Sequence, residues 1–333
     1  MPTSCTISRR GLLGLGTTLA ATGLAAPRLA TAETWPSRPI TLVVGYPPGG
    51  QTDFAARIVQ PGLARALGQS VVIENRGGAG GNIGTEAVIR ARPDGYTLLA
   101  ANSSPMVINP HTFPAVNFNP LDLRNIGMIL DAPLAFCAHP SVEATDVRAM
   151  TAWIQAQGRM LDYGIPAAGS LPHLAMELLR SRLGLPEMQN IPYRGSGPAL
   201  LDFIAGRFPI MTDSLSVMAP ALRAGQVRGF MMTSAARVPG FETIPTAGEQ
   251  GLEDFVVGAW TGISAPAGTP PAILARVNAA LEEALADTTV RDRIMAQGAV
   301  PGGGTAAAFD ARVRADHARW GAVARANGIT SGS

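Results

Sequence analysis

Short apolar strands alternate with amphipathic helices along this chain, and the alternation limits the possible folds more than any other feature. A β-branched run at residues 40–44 is followed by helical spacing over 54–67. Two further strand-like runs, 71–73 and 97–100, enclose a helical segment at 83–91. This rhythm is typical of βαβ units, in which helices join parallel strands. It predicts an α/β fold built on mainly parallel sheets flanked by helices.

The alternation of strands and helices continues to the end of the chain, and no internal repeat of fixed period is evident. Strands are predicted at 134–138, 161–163, 208–211 and 259–265, and helices at 147–157, 171–183, 198–205, 271–287 and 306–326. The 333 residues, 47% of them hydrophobic, are enough for two such domains. Because ligands of open parallel sheets collect at the carboxyl ends of strands, function is expected in the loops found there.

Residues 1–32 are typical of a twin-arginine-type signal peptide. Arg9 and Arg10 precede a weakly apolar stretch at 11–26, and the small residues 30–32 suit a signal peptidase. The apolar stretch is shorter than the ~20 residues needed to span a membrane. We therefore expect export to the periplasm and removal of this segment.

The charge balance argues against a nucleic-acid partner. Charged residues are 15% of the chain and the formal net charge is +2. Loss of residues 1–32 removes three arginines and no acid, so 26 − 24 = +2 becomes 23 − 24 = −1. No broad cationic surface is available for a phosphate backbone. All 26 basic residues are arginine, which excludes Schiff-base lysine chemistry and a P-loop lysine.

No cofactor or metal site is expected from the cysteines, histidines and glycines. Cys137 is the only thiol after residue 32, and the four histidines are scattered without a short-spaced partner ligand. The glycine-rich stretch 78–84 follows a strand, but Ile83 stands where a dinucleotide-binding turn needs a small residue. The acidic residue expected after the next strand is also absent near 97–102.

Three glycine-containing turns at predicted helix starts suit an anion. In the first, 46–53, the backbone amides of Gly49 and Gly50 are unobstructed and the helix dipole favours negative charge. The alternative for Asp53 is structural, as a helix cap paired with Arg57 four residues later.

The second turn, 168–173, places Gly169 and Ser170 at a helix start. Ser170 and His173 also raise the alternative of an exported serine hydrolase. That alternative is weak, because no G-x-S-x-G elbow surrounds Ser170 and no acid is placed to orient His173.

The third turn, 192–198, frees the amides of Gly195 and its neighbours, and Arg194 either reaches a ligand or is a solvated surface charge. Asp213 and Ser214 follow the predicted strand 208–211 and should lie at its carboxyl end. Asp213 either accepts a ligand N–H or O–H or caps the next element.

The chain resembles the tripartite tricarboxylate transporter receptors, also called the Bug family of periplasmic binding proteins. The resemblance covers nearly all of the chain after the signal segment. It is carried by Trp35-Pro36, Pro39-Ile40, Pro48-Gly49-Gly50 with Asp53 and Ala56-Arg57, Val72-Ile73-Glu74-Asn75-Arg76-Gly77-Gly78-Ala79-Gly80-Gly81, Pro93-Asp94-Gly95-Tyr96-Thr97-Leu98, Asn109-Pro110, His173-Leu174-Ala175, Pro192-Tyr193-Arg194-Gly195 and Ala265-Pro266-Ala267-Gly268-Thr269-Pro270.

The resemblance implies a Venus-flytrap fold of two lobes, with the ligand in the cleft between them. Lobe 1 would comprise residues 36–133 plus 239–333, and lobe 2 residues 134–238. Backbone amides, hydroxyls and ordered waters would hold the ligand. The contacts carried over by position are Tyr46, Pro48, Gly49, Gly50, Asp53, Ser103, Ser104, Asn109, Gly169, Ser170, His173, Arg194, Gly195, Asp213 and Ser214.

The resemblance further implies a solute-binding protein without catalytic activity. It would capture a small carboxylate, such as a di- or tricarboxylate, an aromatic acid or an acidic amino acid, and deliver it as a monomer to integral membrane transporter subunits. A sensing role, with a membrane sensor kinase as partner, stays open. Tyr46 stands where family members often have Phe, and residues 167–170 are poorer in hydroxyls than the usual loop, so the sequence does not name the ligand.

Overall fold

The computed structural model describes residues 1–3 and 35–330. Almost all of the predicted signal peptide lies outside these residues. In chain order the described elements are β1 (Ile40–Val44), α1 (Gln51–Leu67), β2 (Val71–Asn75), α2 (Asn82–Ile89), β3 (Thr97–Asn102), α3 (Asn109–Thr112), β4 (Arg124–Ala138), α4 (Val147–Ala156), β5 (Leu161–Ile165), α5 (Leu171–Leu183), β6 (Met188–Pro192), α6 (Ser196–Ile204), β7 (Ile210–Ser214), α7 (Leu215–Arg223), β8 (Arg228–Met232), β9 (Gly258–Ala265), α8 (Pro271–Ala286), α9 (Thr288–Ala296), β10 (Val300–Gly303) and α10 (Ala306–Ala326).

The strands form a mixed sheet in the order β2-β1-β3-β9-β4-β7-β5-β6, and β8 and β10 also pair with β4. The βαβ parts are parallel as predicted: β1 pairs with β2 and β3, and β5 pairs with β6 and β7. The long strands β4 and β9 instead pair antiparallel with each other and with their neighbours. Helices flank the sheet, which agrees with the predicted two-lobed α/β class.

Strand β4 connects the two halves of the sheet and is much longer than predicted. Its first part, residues 124–133, pairs with β9, and its last part, residues 134–138, pairs with β7. The first part was missed because it contains Arg124, Asn125, Gly127 and Asp131 rather than a continuous apolar run. Tertiary pairing has overridden local propensity in this segment.

Two other differences from the predicted elements bear on function. Strand β7 is Ile210–Ser214 and not 208–211, so Asp213 and Ser214 are its last two residues, and Ser214 directly precedes α7. Six described elements were not predicted at all, namely α3, β6, α7, β8, α9 and β10. Most of these are short and lack a clean apolar period, which makes them weak signals.

The strand β1 forms the centre of the first half of the core. Ile40, Leu42, Val43 and Val44 are each at most 1% exposed, and burial of such side chains contributes about 1.5–3 kcal/mol each. Helix α1 packs closely on α8 because Gly62 has no side chain, and a Cβ there would lie 2.5 Å from the Cβ of Ala284. This contact holds the C-terminal part of α1 close to α8.

No helix among the described residues is long and apolar enough to cross a membrane. The thiol of Cys137 is fully buried in β4, and burial raises its pKa well above the ordinary value. This cysteine is therefore a small hydrophobic core residue rather than a reactive thiolate.

Candidate ligand-binding site

The anion-friendly turns leave the sheet at the carboxyl ends of two sets of parallel strands. In the first set, Val44 at the end of β1 is in register with Asn75 of β2 and Ala100 of β3. The loops that follow these strands, 45–50, 76–81 and 103–104, therefore start side by side. This is the edge of a parallel sheet where ligands are usually bound.

In the second set, Ile165 at the end of β5 is in register with Pro192 of β6. The loops 166–170 and 193–195 and the end of β7 consequently lie at one edge. Two backbone hydrogen bonds tie the loops together, since the amide of Tyr193 donates to Ile165 O (3.0 Å) and that of Gly195 donates to Pro166 O (2.9 Å).

The two edges touch through a hydrogen bond that joins predicted lobe 1 to predicted lobe 2. The Thr112 hydroxyl, in α3, donates to Gly169 O at 3.2 Å and to Ile108 O at 3.3 Å. Thr112 is buried. The segment after β3 is thereby placed against the turn that opens α5.

Tyr46 connects the chain segments at the ends of β1, β2 and β3 through hydrogen bonds. Its half-buried hydroxyl donates to Gly80 O (3.0 Å) and to Asn102 Oδ1 (3.2 Å). Asn102 in turn donates to the Thr52 hydroxyl in α1 (3.1 Å) and accepts from the Ser104 amide (2.9 Å). Burial raises the pKa of Tyr46 above its ordinary value, so the hydroxyl keeps its proton and acts as a donor.

We expect Tyr46→Phe to lower the free energy of unfolding by about 1.5 kcal/mol, because two acceptors then lose their shared donor. Urea unfolding of the purified protein measures the change. Tyr96→Phe is the matched control, since among the described residues the Tyr96 hydroxyl is hydrogen-bonded to Ser37 alone, on the exposed surface. Equal losses of unfolding free energy in the two variants would contradict the role of Tyr46 in holding these segments together.

Asp53 forms the ion pair with Arg57 that its structural alternative predicts, although Gly50 and not Asp53 is the N-cap residue of α1. The side chain is buried, and Oδ2 accepts from the Gly49 amide (3.0 Å) and from Arg57 Nε (2.9 Å). Oδ1 accepts from Asn75 Nδ2 at 3.0 Å, and Asn75 also donates to Tyr46 O at 2.9 Å. Both carboxylate oxygens are therefore used to fix the first turn.

The expectation that the amides of Gly49, Gly169 and Gly195 face a ligand is corrected by their hydrogen bonds. Gly49 donates to Asp53, Gly169 donates to His173 Nδ1 (2.9 Å), and Gly195 donates to Pro166 O. At Gly49 (φ 95°) and Gly195 (φ 123°) the left-handed backbone turns the N–H back into the protein. The first amides of α1 and α6 are the donors that helix geometry leaves free.

Asn109 and His173 also support neighbouring loops. Asn109 is buried, and its Nδ2 donates to Gly80 O (2.9 Å) and to Asn82 Oδ1 (2.7 Å), so both of its amide hydrogens are used. His173 Nδ1 accepts from the Gly169 amide, which places the proton of the neutral ring on Nε2.

That tautomer weakens the hydrolase alternative for Ser170 and His173. Burial lowers the pKa of His173, with Glu177 opposing the shift, so the neutral ring is favoured. With Nδ1 already accepting, the remaining nitrogen carries hydrogen and has no lone pair with which to take the serine proton. Ser170 Oγ makes no hydrogen bond to His173 or to any other described residue.

Three predicted contacts carry buried polar atoms without a hydrogen-bond partner among the described residues. They are Ser103 Oγ after β3, Ser170 Oγ before α5 and Asp213 Oδ2 at the end of β7. Buried polar groups are nearly always paired in native proteins, and unpaired ones call for an explanation. All three lie at the two carboxyl edges, which favours a ligand as their partner.

Arg194 and the first turn are the exposed parts of the site. Pro48, Gly49 and Gly50 are exposed, as is Arg194. Arg180 and Arg207 pair with carboxylates, whereas Arg194 has no carboxylate partner among the described residues. Its charge is therefore available to an anion that enters between the loops.

The residues that the sequence prediction missed are those that hold the loops. Asn75, Asn102, Thr52 and Thr112 each bond a predicted contact or its turn. Asn75 was visible within the motif that carries the resemblance, but no local pattern distinguishes Thr112 or Asn102 from ordinary polar loop residues.

Comparison with known proteins gives consistent results. The family described as "Tripartite tricarboxylate transporter family receptor" matches residues 55–329. Protein BugT of Bordetella pertussis is 36% identical over 321 residues, covering 96% of this chain and 98% of that protein.

Two solved structures are similar in fold and carry a carboxylate. Rpa4515 of R. palustris with adipate has a TM-score of 0.82 at 33% identity, covering 89% of this chain and 99% of that one. MatC from Rhodopseudomonas palustris with bound malate has a TM-score of 0.79 at 32% identity, covering 86% and 99%.

These matches confirm the resemblance seen in the sequence motifs. The family match covers well over half of the chain, and the BugT alignment spans nearly all of both proteins. The family is described as a transporter receptor, and two further structural neighbours are described as the periplasmic binding protein BugD and a TctC solute binding protein from Polaromonas. The chain belongs to the tripartite tricarboxylate transporter receptor family, the Bug family of periplasmic solute-binding proteins.

Proposed function

We propose that this chain is a periplasmic receptor that captures a small carboxylate between two lobes and delivers it to membrane subunits of a tripartite tricarboxylate-type transporter. The observation that carries the proposal is the meeting of two strand edges whose buried hydroxyl and carboxyl atoms lack partners at Ser103, Ser170 and Asp213. The adipate and malate held by two structural neighbours support a carboxylate as the ligand.

The lobes are proposed to be residues 36–133 plus 239–333 and residues 134–238. The pairing of β4 supports this division, because the strand changes partner from β9 to β7 between Pro133 and Leu134. Opening and closing would occur about this strand and the return segment before β9. The ligand would then stabilise the closed state through contacts with both lobes.

The predicted contacts fall into two proposed groups. Some reach the ligand directly, and the others hold the loops that do so. The direct contacts are Pro48, Gly50, Ser103, Ser104, Ser170, Arg194, Asp213 and Ser214. The positioning residues are Tyr46, Gly49, Asp53, Asn109, Gly169, His173 and Gly195.

Electrostatics favour an anion in this arrangement. The starts of α1, α5 and α6 lie beside the two strand edges, and each carries the partial positive charge of a helix N-terminus. Arg194 adds a full charge without a partner carboxylate among the described residues. Capture in the periplasm requires export, for which residues 1–32 remain the proposed signal.

We expect a cognate carboxylate to raise the melting temperature by about 5 °C at a concentration one hundred times its Kd, because a ligand that binds only the folded state stabilises it by mass action. Thermal denaturation with a panel of di- and tricarboxylates, aromatic acids and acidic amino acids measures the shift. The corresponding uncharged amides are the controls. A panel without any shift, or equal shifts with the amides, would count against carboxylate binding.

A further inference from the structure

Asp213 is a buried carboxyl group inside a site that otherwise favours anions. It is 4% exposed and lies at the end of β7, opposite Ala135 of β4. Oδ1 accepts a hydrogen bond from the Ser214 amide at 2.7 Å. Oδ2 is buried and accepts none from the described residues. One oxygen of the carboxyl group is thus satisfied and the other is not.

The side chain points to the sheet face that packs against α6 and α7. Met211 and Cys137, which lie on that face, belong to the core cluster that also contains Phe203 of α6 and Leu215 of α7. Residues alternate between faces along a strand, so Asp213 shares the face of Met211. It consequently lies beneath the start of α6, beside the loop that carries Arg194.

No cation offsets the charge of Asp213 in this position. No arginine or histidine of the described residues forms an ion pair with it, and Cys137 of β4 is the titratable neighbour. Burial raises the pKa of Asp213 to about 6. The nearby hydroxyls of Ser196 and Ser214 and the Ser214 amide oppose the rise, but neither hydroxyl forms a hydrogen bond of normal geometry with Oδ2. Near neutral pH the group is mainly a carboxylate with one unsatisfied oxygen.

Such an oxygen distinguishes strongly between two kinds of ligand group. A hydroxyl or ammonium group donates a hydrogen bond to it and completes its pairing. A second carboxylate offers no hydrogen and brings like charge next to a buried anion. Sites built to hydrogen-bond a substrate group reject analogues without that group far better than apolar pockets reject a change of shape.

We propose that Asp213 makes this cleft select carboxylates that bring a hydrogen-bond donor to its unpaired Oδ2, a hydroxyl or amino group, over plain dicarboxylates of the same length. This inference rests on the proposed function, because the donor reaches Oδ2 only as part of a ligand held between the loops. The ligand class is then a hydroxy- or amino-carboxylate.

The test uses matched ligand pairs that differ only in the donor. Calorimetric titration of the full chain at pH 7.5 compares succinate with malate and with aspartate, and glutarate with 2-hydroxyglutarate and with glutamate. We expect the donor-bearing member of the bound pair to have a Kd about 10-fold lower or better, as for a hydrogen bond to a charged group.

Two variants separate this role from a structural one. Asp213→Asn keeps an oxygen for the Ser214 amide and turns an NH₂ group toward the ligand, so the preference should reverse in favour of the plain dicarboxylate. Asp202→Asn is the control, because Asp202 of α6 pairs with Tyr193 and Arg207 and lies outside the proposed contacts. The Asp202→Asn variant should keep the ligand preference of the unaltered protein.

A second measurement needs no variant. As the pH falls from 8 to 6, Asp213 gains its own proton and becomes a donor, so the affinity for succinate should rise and the preference for malate should shrink. Equal affinities within each pair, or an unchanged preference in Asp213→Asn, would overturn the inference while carboxylate binding stands. If no panel member binds, the proposed function fails and the inference fails with it.

Discussion

Asp53→Ala is expected to lower the free energy of unfolding by about 3 kcal/mol. The substitution leaves the Gly49 amide, Arg57 and Asn75 without the carboxylate that they share at 2.9–3.0 Å. Asp53 itself is buried, and the loss of three hydrogen bonds to its charged carboxylate costs more than the loss of one ordinary hydrogen bond. Urea unfolding at pH 7 measures the loss.

The loss of stability at acidic pH gives a second measure of what Asp53 contributes to the free energy of unfolding. Burial raises the pKa of this carboxyl group, but the hydrogen bonds from Arg57, Gly49 and Asn75 outweigh it and hold the pKa below the ordinary value of 3.8. A carboxyl group with a lowered folded-state pKa contributes stability above the unfolded pKa and loses it as pH falls through the folded value. Asp53→Ala should therefore lose less stability than the unaltered protein below pH 4.

The ion pair between Glu86 and Arg90 in α2 provides the matched control. It has the same spacing of four residues as Asp53 and Arg57, but the Glu86 side chain is 36% exposed, whereas that of Asp53 is 5% exposed. Exposed pairs of this kind contribute about 0.3–0.5 kcal/mol. If Glu86→Ala and Asp53→Ala cost the same, the loop network would have no special stabilising effect.

The same residues show how far the sequence could predict the fold. The parallel βαβ parts followed from apolar period and strand length, and α5 and α10 agree with their predicted bounds. The first part of β4 could not be found in this way, because its polar residues are buried only through pairing with β9. Short elements such as β6 and β10 depend on the same kind of long-range partner.

The position of the site was predictable from the sequence, but the hydrogen bonds made by its residues were not. Strand ends and glycine turns located the loops, since both are local features of the sequence. Which amides remain free depends on distant partners, as the bonds from Gly49 to Asp53 and from Gly195 to Pro166 show. The unpaired atoms of Ser170 and Asp213 are likewise a property of the packed structure.

The glycine-rich stretch after β2 illustrates a motif whose purpose only the structure reveals. The stretch was excluded as a dinucleotide-binding turn on its spacing, which left its glycines unexplained. Gly84 in α2 lies against β1, and a Cβ there would be 2.7 Å from Gly45 Cα and 2.9 Å from Arg76 O. Close approach of helix and strand, rather than a bound phosphate, accounts for this glycine.

Gly84→Ala is therefore expected to destabilise the protein by about 3 kcal/mol. On helix propensity alone the change should stabilise α2 by about 0.5–1 kcal/mol, because glycine is a poor helix former. Steric contacts make the net change in stability unfavourable, since Gly45 Cα and Arg76 O both belong to the backbone and cannot rotate away from the new Cβ. Gly248→Ala, where the nearest atoms are 4.0 Å away, should be nearly neutral. A neutral or stabilising effect of Gly84→Ala in urea unfolding would show that α2 can shift from β1, and the turn at 45–50 would then lack the rigid support that the proposed site requires.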